Sequence, residues 1–220
     1  MRSPNFNDRP EGVPIDMLVI HYTGMRSAKA ALTRMCDPAA EVSAHYMIDE
    51  AGDIVALVAE DKRAWHAGLS FWRGETNVNG RSIGIELANP GHEFGYRPFP
   101  EAQMAALIEL AKGILARWPI PARNVVGHSD VAPRRKQDPG ELFDWRRLAA
   151  EGIGLWPQAG ATEGDAVALL TECGYETEDF AASLTAFQRH FRPSRCDGVA
   201  DEETLSLLNG YVTAITQFAQ

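Results

Sequence analysis

The sequence lacks several features that would assign a chain of 220 residues to a special class. It contains no run of 18 apolar residues, which excludes a transmembrane helix. Its first ten residues hold neither an apolar segment nor a small-residue cleavage site, so no signal peptide is predicted. The three cysteines have no CxxC spacing, which is typical of reduced thiols, although a Cys173–Cys196 bridge stays open. These absences together predict a cytoplasmic protein.

An excess of positive charge is also absent. The formal net charge of -9 disfavours nonspecific attraction to nucleic acid or to anionic lipid. The one basic run in the sequence is Arg134-Arg135-Lys136. Hydrophobic residues at 45% and charged residues at 23% are ordinary for a globular protein. We therefore expect neither a nucleic-acid partner nor a membrane-bound chain.

What is present is an alternation of short apolar strands and helical stretches from about residue 15 to residue 155. This alternation predicts an α/β fold with a layered architecture. A stretch rich in glycine and proline at 152–161 predicts a linker, and three short helices are predicted beyond it. The predicted strands are 17–21, 44–49, 53–58, 82–88 and 124–127, and the predicted helices are 27–35, 100–118, 164–173, 178–191 and 201–209.

Two histidines and one aspartate form the pattern that carries chemistry. His21 and His128 each follow an apolar, β-branched run, and Asp138 lies in a proline-rich turn after the second run. Two imidazoles and one carboxylate, with a fourth position left open, are the ligands of a catalytic zinc ion. A structural zinc site would need four ligands and usually more sulfur. The pattern therefore predicts metal-assisted hydrolysis.

Two further charged residues lie close to this pattern. Glu86 alternates with isoleucine and leucine along a predicted strand, so its side chain lies on the opposite face from theirs. Beside a metal it would move a proton between water and a leaving amine, whereas alone it would be a solvated glutamate. Lys136 precedes Asp138 by two residues and is either an oxyanion-stabilising residue or a solvated surface lysine.

Five motifs in order make the chain resemble a known family. The segments VIHYTG, SAHYMID, AWHAG, SIGIELAN and VVGHSDVAPRRKQDPG are similar to those of the zinc-dependent N-acetylmuramoyl-L-alanine amidases of the type 2 amidase family. The match covers roughly residues 15–157. It implies a mixed central sheet flanked by helices, and Zn²⁺ bound by His21, His128 and Asp138. It also implies Glu86 as the catalytic acid and base, and Lys136 as the residue that stabilises the oxyanion.

The same resemblance suggests residues that bind substrate. His66 lies in the motif that corresponds to the cleft wall of the family, Trp72 follows it in a predicted loop, and Asn89 is a candidate to bind a stem peptide. His45 is either a hydrogen-bonded core histidine or a support for the zinc site. We expect His92 and His190 at the surface.

The C-terminal segment carries a second resemblance. The stretch LTAFQRHFRPSRCDGVADEETLSLL is similar to the three-helix peptidoglycan-binding domain, in its FQ helix, its DG turn and its ET-leucine helix. The sequence therefore predicts a zinc amidase domain over residues 1–157 and a small peptidoglycan-binding-like helical domain over residues 158–220. The matching residues are Phe187, Gln188, Asp197, Gly198, Thr204 and Leu205.

The resemblance implies a hydrolase that cleaves the lactyl–L-alanine amide of peptidoglycan or of muropeptides, the 1,6-anhydro forms included, in cell-wall recycling or turnover. One alternative is a non-catalytic protein that recognises peptidoglycan with the same cleft, but such relatives lose a zinc ligand. A zinc endopeptidase is a weaker alternative, since the chain has no HExxH motif. The C-terminal module suggests the cell envelope as the alternative location.

Overall fold

A computed structural model describes residues 2–217 of the chain. Between these residues, short strands and helices alternate in the first two thirds of the chain, and helices alone follow. The strands are β1 (Phe6–Asp8), β2 (Met17–Tyr22), β3 (Tyr46–Ile48), β4 (Ile54–Ala56), β5 (Lys62–Ala64), β6 (Ser82–Leu87) and β7 (Val125–Gly127). The helices are α1 (Ala28–Met35), α2 (Val78–Arg81), α3 (Gly91–Phe94), α4 (Glu101–Arg117), α5 (His128–Val131), α6 (Trp145–Ala150), α7 (Ala166–Cys173), α8 (Phe180–Phe191) and α9 (Glu202–Gln217), with 3₁₀ turns at Pro38–Ala40 and Ala122–Asn124.

A mixed sheet of five strands lies at the centre, in the order β4-β3-β6-β2-β7. Strands β3, β6, β2 and β7 run parallel, and β4 pairs with β3 in the antiparallel direction. Strand β2 is apolar on both sides over Met17–Ile20, as a strand covered on both faces must be. Strands β1 and β5 form a separate antiparallel pair. The predicted mixed α/β fold is confirmed.

Each face of this sheet is covered by different helices. On one face, Leu18 and Ile20 of β2 pack in one cluster with Leu107 and Ile114 of α4. The apolar residues of α4 recur at three- and four-residue spacing, which gives that helix one buried side. On the other face, Met17 and Val19 join a cluster with residues from the C-terminal helices. The alternating side chains of β2 thus serve two separate cores.

The C-terminal helices share their core with the sheet. Leu170, Leu184 and Phe187 from these helices lie in the same buried cluster as Val19 and Val126 of the sheet. Trp72 lies in this cluster and is 1% exposed. Helices α7, α8 and α9 therefore form the predicted three-helix unit, and they also cover one face of the sheet. The domain boundary between residues 157 and 158 stays a prediction.

The predicted linker is held against helix α9. The backbone N–H of Gly160 donates to the carbonyl of Ser206 at 3.0 Å, and the amide of Asn209 donates to the carbonyl of Ala161 at 2.9 Å. Gly210 of α9 lies so close to this segment that a Cβ atom there would be 1.7 Å from the carbonyl oxygen of Gln158. The segment 158–161 is therefore ordered and packed on α9, and it is called the strap below.

The observed helices and strands differ from the predicted ones mainly at element ends and in short elements. His128 begins the one-turn helix α5 immediately after β7, whereas the pattern had placed it at the end of a strand. Helix α9 continues from the predicted end at residue 209 to Gln217, and the last three residues of the predicted C-terminal domain lie outside the described residues. Elements of three to six residues, such as β1, β5 and α6, escaped prediction because they are too short to show a period.

The structure also bears on the predictions about cysteine pairing and membrane-spanning helices. Cys36, Cys173 and Cys196 are free thiols, so the Cys173–Cys196 bridge is not formed. No helix within residues 2–217 has the length and apolar character needed to cross a membrane. The cytoplasmic location stays a prediction.

The strap on α9 generates a prediction for Gly210. Substitution Gly210→Ala should destabilise the fold by about 1–3 kcal/mol, because the new methyl group meets backbone that no rotamer change can move. Urea or thermal unfolding measures the change. The matched control is Gly113→Ala in α4, where the nearest atom belongs to the flexible Arg117 side chain. That change should stabilise the helix by about 0.5–1 kcal/mol, and equal effects of the two substitutions would contradict the role of the strap.

Candidate metal centre and active site

Three neighbouring parallel strands bring the candidate residues to one edge of the sheet. Strand β2 lies between β6 and β7, and all three end at the same edge. His21 of β2 pairs in register with Glu86 of β6, so their side chains lie on the same face. Ile20 pairs with Gly127, which places His128 next to His21. The carboxyl edge of a parallel sheet is where ligands bind in open α/β folds.

The predicted metal ligands meet at this edge. Nδ1 of His21 lies 2.9 Å from Nδ1 of His128, and each of these atoms lies 3.1 Å from Oδ2 of Asp138. All three residues are buried. Asp138 reaches the site from the loop after α5, and its carbonyl accepts a hydrogen bond from the backbone of Ser129 at 2.8 Å. Residues separated by up to 117 positions in the chain thus form one cluster of three donor atoms.

The second ring nitrogen of His128 fixes the tautomer of that side chain. Nε2 of His128 lies 3.0 Å from the carbonyl oxygen of Ala67, which can only accept. Nε2 therefore carries the hydrogen, and in the neutral ring Nδ1 keeps a lone pair that faces the cluster.

A relay of hydrogen bonds fixes the tautomer of His21 in the same way. The hydroxyl of Ser82 donates to the carbonyl of Val78 at 2.6 Å, so it accepts from Nε2–H of His66 at 3.1 Å. Nδ1 of His66 then accepts from Nε2–H of His21 at 3.0 Å. Nδ1 of His21 is left with a lone pair, as it is in His128.

Two lone pairs and a carboxylate oxygen thus face one another in a buried space. Such an arrangement is repulsive unless a proton or a metal ion lies between the donor atoms. Burial, together with the charge of His128, lowers the pKa of His21 to about 4, which disfavours a proton there at neutral pH. The donor set and its orientation fit a metal cation.

Glu86 provides a carboxyl group beside this cluster. Its Oε2 atom is buried and has no hydrogen-bond partner within residues 2–217. Burial, and then the negative charge of Asp138, raise the pKa of Glu86 well above its ordinary value, although the charge of Lys136 opposes this. A carboxyl group with a raised pKa can both accept and return a proton near neutral pH.

Lys136 lies close to the same groups. Its positive charge lowers the pKa of both His21 and Glu86, which places the ammonium near the cluster. The side chain is half-buried, and its ammonium makes no hydrogen bond to a protein atom in the part of the chain that is described. The structure thus brings together the five predicted metal-ligating and catalytic residues, His21, Glu86, His128, Lys136 and Asp138.

The three predicted substrate-binding residues are all buried. Trp72 is 1% exposed in the core below the C-terminal helices, so its predicted place along the groove is wrong. Asn89 is buried, and its amide already donates to the carbonyl of Arg97 and accepts from the N–H of Gly91. His66 is buried behind His21, and both its ring nitrogens are engaged. Burial and these hydrogen bonds hold the three side chains inside the fold, and the substrate-binding roles of His66 and Asn89 stay predictions.

The remaining uncertainty over His45 is also decided. Its Nδ1 accepts from the N–H of Gly84 at 2.9 Å, and its Nε2 lies 3.0 Å from the carbonyl of Lys62. Both of these hydrogen bonds join it to backbone groups and neither joins it to a predicted metal ligand, so it is a hydrogen-bonded core histidine. Sequence reasoning missed Ser82 and Gly84. A Cβ at Gly84 would lie 2.5 Å from the ring of His66, and the lone glycine among the isoleucines of SIGIELAN was the available signal.

Comparisons with known proteins agree with this geometry. Residues 11–141 match the family model described as N-acetylmuramoyl-L-alanine amidase.

The chain belongs to the N-acetylmuramoyl-L-alanine amidase family.

Named relatives of this chain include AmiD and AmpD. The chain is 40% identical to the N-acetylmuramoyl-L-alanine amidase AmiD of Escherichia coli K12, over 88% of this chain and 80% of AmiD. It is 36% identical to the 1,6-anhydro-N-acetylmuramyl-L-alanine amidase AmpD of Enterobacter cloacae, over 67% of this chain and 86% of AmpD. It is therefore an amidase of this family by sequence.

Solved structures extend the likeness to the C-terminal helices. The complex of Escherichia coli AmiD with anhydro-N-acetylmuramic acid-L-Ala-D-γ-Glu-L-Lys has a TM-score of 0.83 and 38% identity, and covers 96% of this chain and 94% of that one. AmpDh3 of Pseudomonas aeruginosa has a TM-score of 0.84 and 33% identity, and covers 98% of this chain and 99% of that one. Since more than nine tenths of the chain is matched, these two structures include most of the helical part as well.

The relay behind His21 generates a prediction for Ser82. Substitution Ser82→Ala removes the acceptor that holds His66 in its tautomer, and we expect it to weaken the binding of a divalent metal ion such as Zn²⁺ by about tenfold or more. Competition with a chromophoric chelator measures the dissociation constant. The matched control is Ser183→Ala, because Ser183 is also a buried serine but its hydroxyl has no partner within residues 2–217. Equal metal affinity of the two variants would contradict the relay.

Proposed function

We propose that this chain is a zinc-dependent amidase that hydrolyses the bond between the lactyl group of N-acetylmuramic acid and the L-alanine of the stem peptide. The observation that carries the proposal is the convergence of two imidazole lone pairs and a carboxylate beside a carboxyl group of raised pKa. The proposed substrates are muropeptides, the 1,6-anhydro forms included, during recycling or turnover of the cell wall. The anhydromuramyl peptides bound in the AmiD and AmpDh3 structures support this substrate class.

Zinc is the proposed metal because the donor set suits it. His21, His128 and Asp138 would hold the ion with two histidine nitrogens and one carboxylate oxygen, which is a donor set of catalytic zinc sites. The donor atoms are 2.9–3.1 Å apart. This separation is close to the roughly 3.3 Å expected between tetrahedral ligands that each lie about 2.0 Å from zinc. When bound, zinc supplies a Lewis acid that polarises a carbonyl group and lowers the pKa of water.

The proposed role of Glu86 follows from its buried carboxyl group. In its ionised form, Glu86 takes a proton from the attacking water. It then returns that proton to the alanine nitrogen as the carbon–nitrogen bond breaks. The raised pKa of Glu86 suits this role, because a carboxyl group with a raised pKa is a stronger base toward water than an ordinary carboxylate and holds the proton until it is transferred. A carboxylate fully solvated at the surface would return the proton poorly.

The proposed role of Lys136 is electrostatic. Negative charge develops on the carbonyl oxygen of the lactyl group when water adds to the carbonyl carbon. A nearby ammonium that is not neutralised by a protein carboxylate stabilises this charge.

The alternative function, non-catalytic recognition of peptidoglycan, is disfavoured because all three metal ligands and Glu86 are present. Binding of glycan by the C-terminal helices stays a prediction.

The role of Glu86 is tested by Glu86→Gln, which keeps the shape of the side chain but removes its proton-transfer function. We expect hydrolysis to fall by about 10²–10⁴-fold, with zinc affinity retained. Mass spectrometry of a purified anhydromuropeptide digest follows the release of a stem peptide with a free L-alanine amine. Exposed Glu109→Gln is the matched control. Unimpaired release by the Glu86 variant, or a product that keeps alanine on the sugar, would refute the proposal.

The role of Lys136 is tested by Lys136→Met, which removes the charge but keeps a similar apolar stem. The turnover number should fall by about 10²–10³-fold while the zinc content stays at the wild-type value, because the ammonium acts on the oxyanion and not on the metal. Exposed Lys29→Met should leave turnover unchanged. A Lys136 variant that loses zinc instead of turnover would assign this residue a different role.

A further inference from the structure

A buried carboxylate links the metal centre to the C-terminal helices. Asp130 lies two residues after His128 in α5 and is 1% exposed. Its Oδ2 accepts hydrogen bonds from the N–H of Gly127 at 2.7 Å and from Nδ1–H of His190 at 2.8 Å. Its Oδ1 accepts from the hydroxyl of Tyr175 at 2.8 Å. Two of its three donors thus come from the C-terminal part of the chain.

Both donors are held in place by aromatic packing. The ring of His190 stacks on Trp145 with centroids 3.8 Å apart, and on the other side it contacts Phe191 at 3.9 Å. The ring of Tyr175 meets Trp72 edge to face at 5.1 Å. His190 is therefore a buried residue, and its predicted surface position is wrong. Because neither ring can rotate freely, the N–H and O–H groups have fixed directions toward the carboxylate.

The segment that Asp130 anchors is the one that carries a metal ligand. Helix α5 is only four residues long, and a single helical turn is unstable without tertiary support. The bond from Gly127 to Asp130 closes the start of this turn, directly before His128. The N–H of Ser129 in the same turn donates to the carbonyl of Asp138 at 2.8 Å. The position of α5 thus affects two of the three proposed ligands.

We propose that Tyr175 and His190 are positioning residues for the metal centre, which act through Asp130 on the turn that carries His128. The inference rests on the proposed metal site and adds a role for the C-terminal helices that does not depend on glycan binding. Asp130 is not itself a ligand, because both its oxygens point to the helices and are already engaged. The helical module then belongs to the catalytic unit.

The test measures zinc affinity in the full-length chain by competition with a chromophoric chelator. Substitution Tyr175→Phe removes one hydroxyl and leaves an oxygen of Asp130 without its donor, so the zinc dissociation constant should rise about tenfold. The matched control is Tyr211→Phe, since Tyr211 is a buried tyrosine of the same module whose hydroxyl does not reach Asp130. The control should bind zinc as the wild type does.

A second pair of variants tests the other donor. Substitution His190→Phe keeps a flat ring between Trp145 and Phe191 but removes the N–H, and should also weaken zinc binding about tenfold. Substitution His190→Asn restores an N–H near the position of Nδ1, and should recover part of the affinity although it loses the stacking. Since the two sites remove different donors, failure of one variant to fold leaves the other to decide.

A purely structural role would give a different result. It would lower the melting temperature of Tyr175→Phe and His190→Phe without changing zinc affinity, and that outcome would overturn the inference. A positioning role also predicts an altered visible spectrum of the cobalt-substituted variants, and turnover that returns at saturating zinc with an unchanged KM. A wild-type chain that binds no zinc would instead overturn the proposed function, and this inference with it.

Discussion

Electrostatic repulsion among three buried electron-pair donors is the constraint on which the rest of this structure depends. Nδ1 of His21, Nδ1 of His128 and a carboxylate oxygen of Asp138 lie 2.9–3.1 Å apart. In the tautomers that the surrounding hydrogen bonds select, none of these three atoms carries a hydrogen. Each imidazole is held in this orientation from behind, by Ala67 in one case and by the relay through His66 in the other. Keeping three such groups together away from water destabilises the fold, and a bound cation would offset this cost.

The support for this site extends across one whole face of the sheet. Ser82 and Gly84 of β6 give His66 its acceptor and its space, and the C-terminal helices reach the opposite side of the site through Asp130. Metal ligands at strand ends are rigid only if the loops that follow are also held. The sheet and the helices share one core, and two solved relatives that match more than nine tenths of the chain contain both parts.

The residues of the site that could be predicted from the sequence are those that would bind the metal or take part in the reaction. Residue type and motif order suggested the ligands, Glu86 and Lys136, because a metal hydrolase restricts the side chains that can do this work. The substrate-binding predictions depend on a weaker signal. A family motif such as AWHAG marks His66 as important, but it does not tell whether an imidazole faces the groove or supports a ligand. His190 was misplaced because its partners, Asp130 and Trp145, are distant in sequence.

The sequence by itself determined the mixed α/β class, the long helix α4 and the three C-terminal helices, because hydrophobic periodicity and capping residues are local signals. It also determined which side chains were suited to hold a metal. Only the tertiary structure decided the tautomers of His21 and His128, the second-layer place of His66 and the link from Tyr175 and His190 to α5. Those features depend on contacts between residues tens of positions apart, and such contacts exist only when strands β6, β2 and β7 lie side by side and the helices cover them.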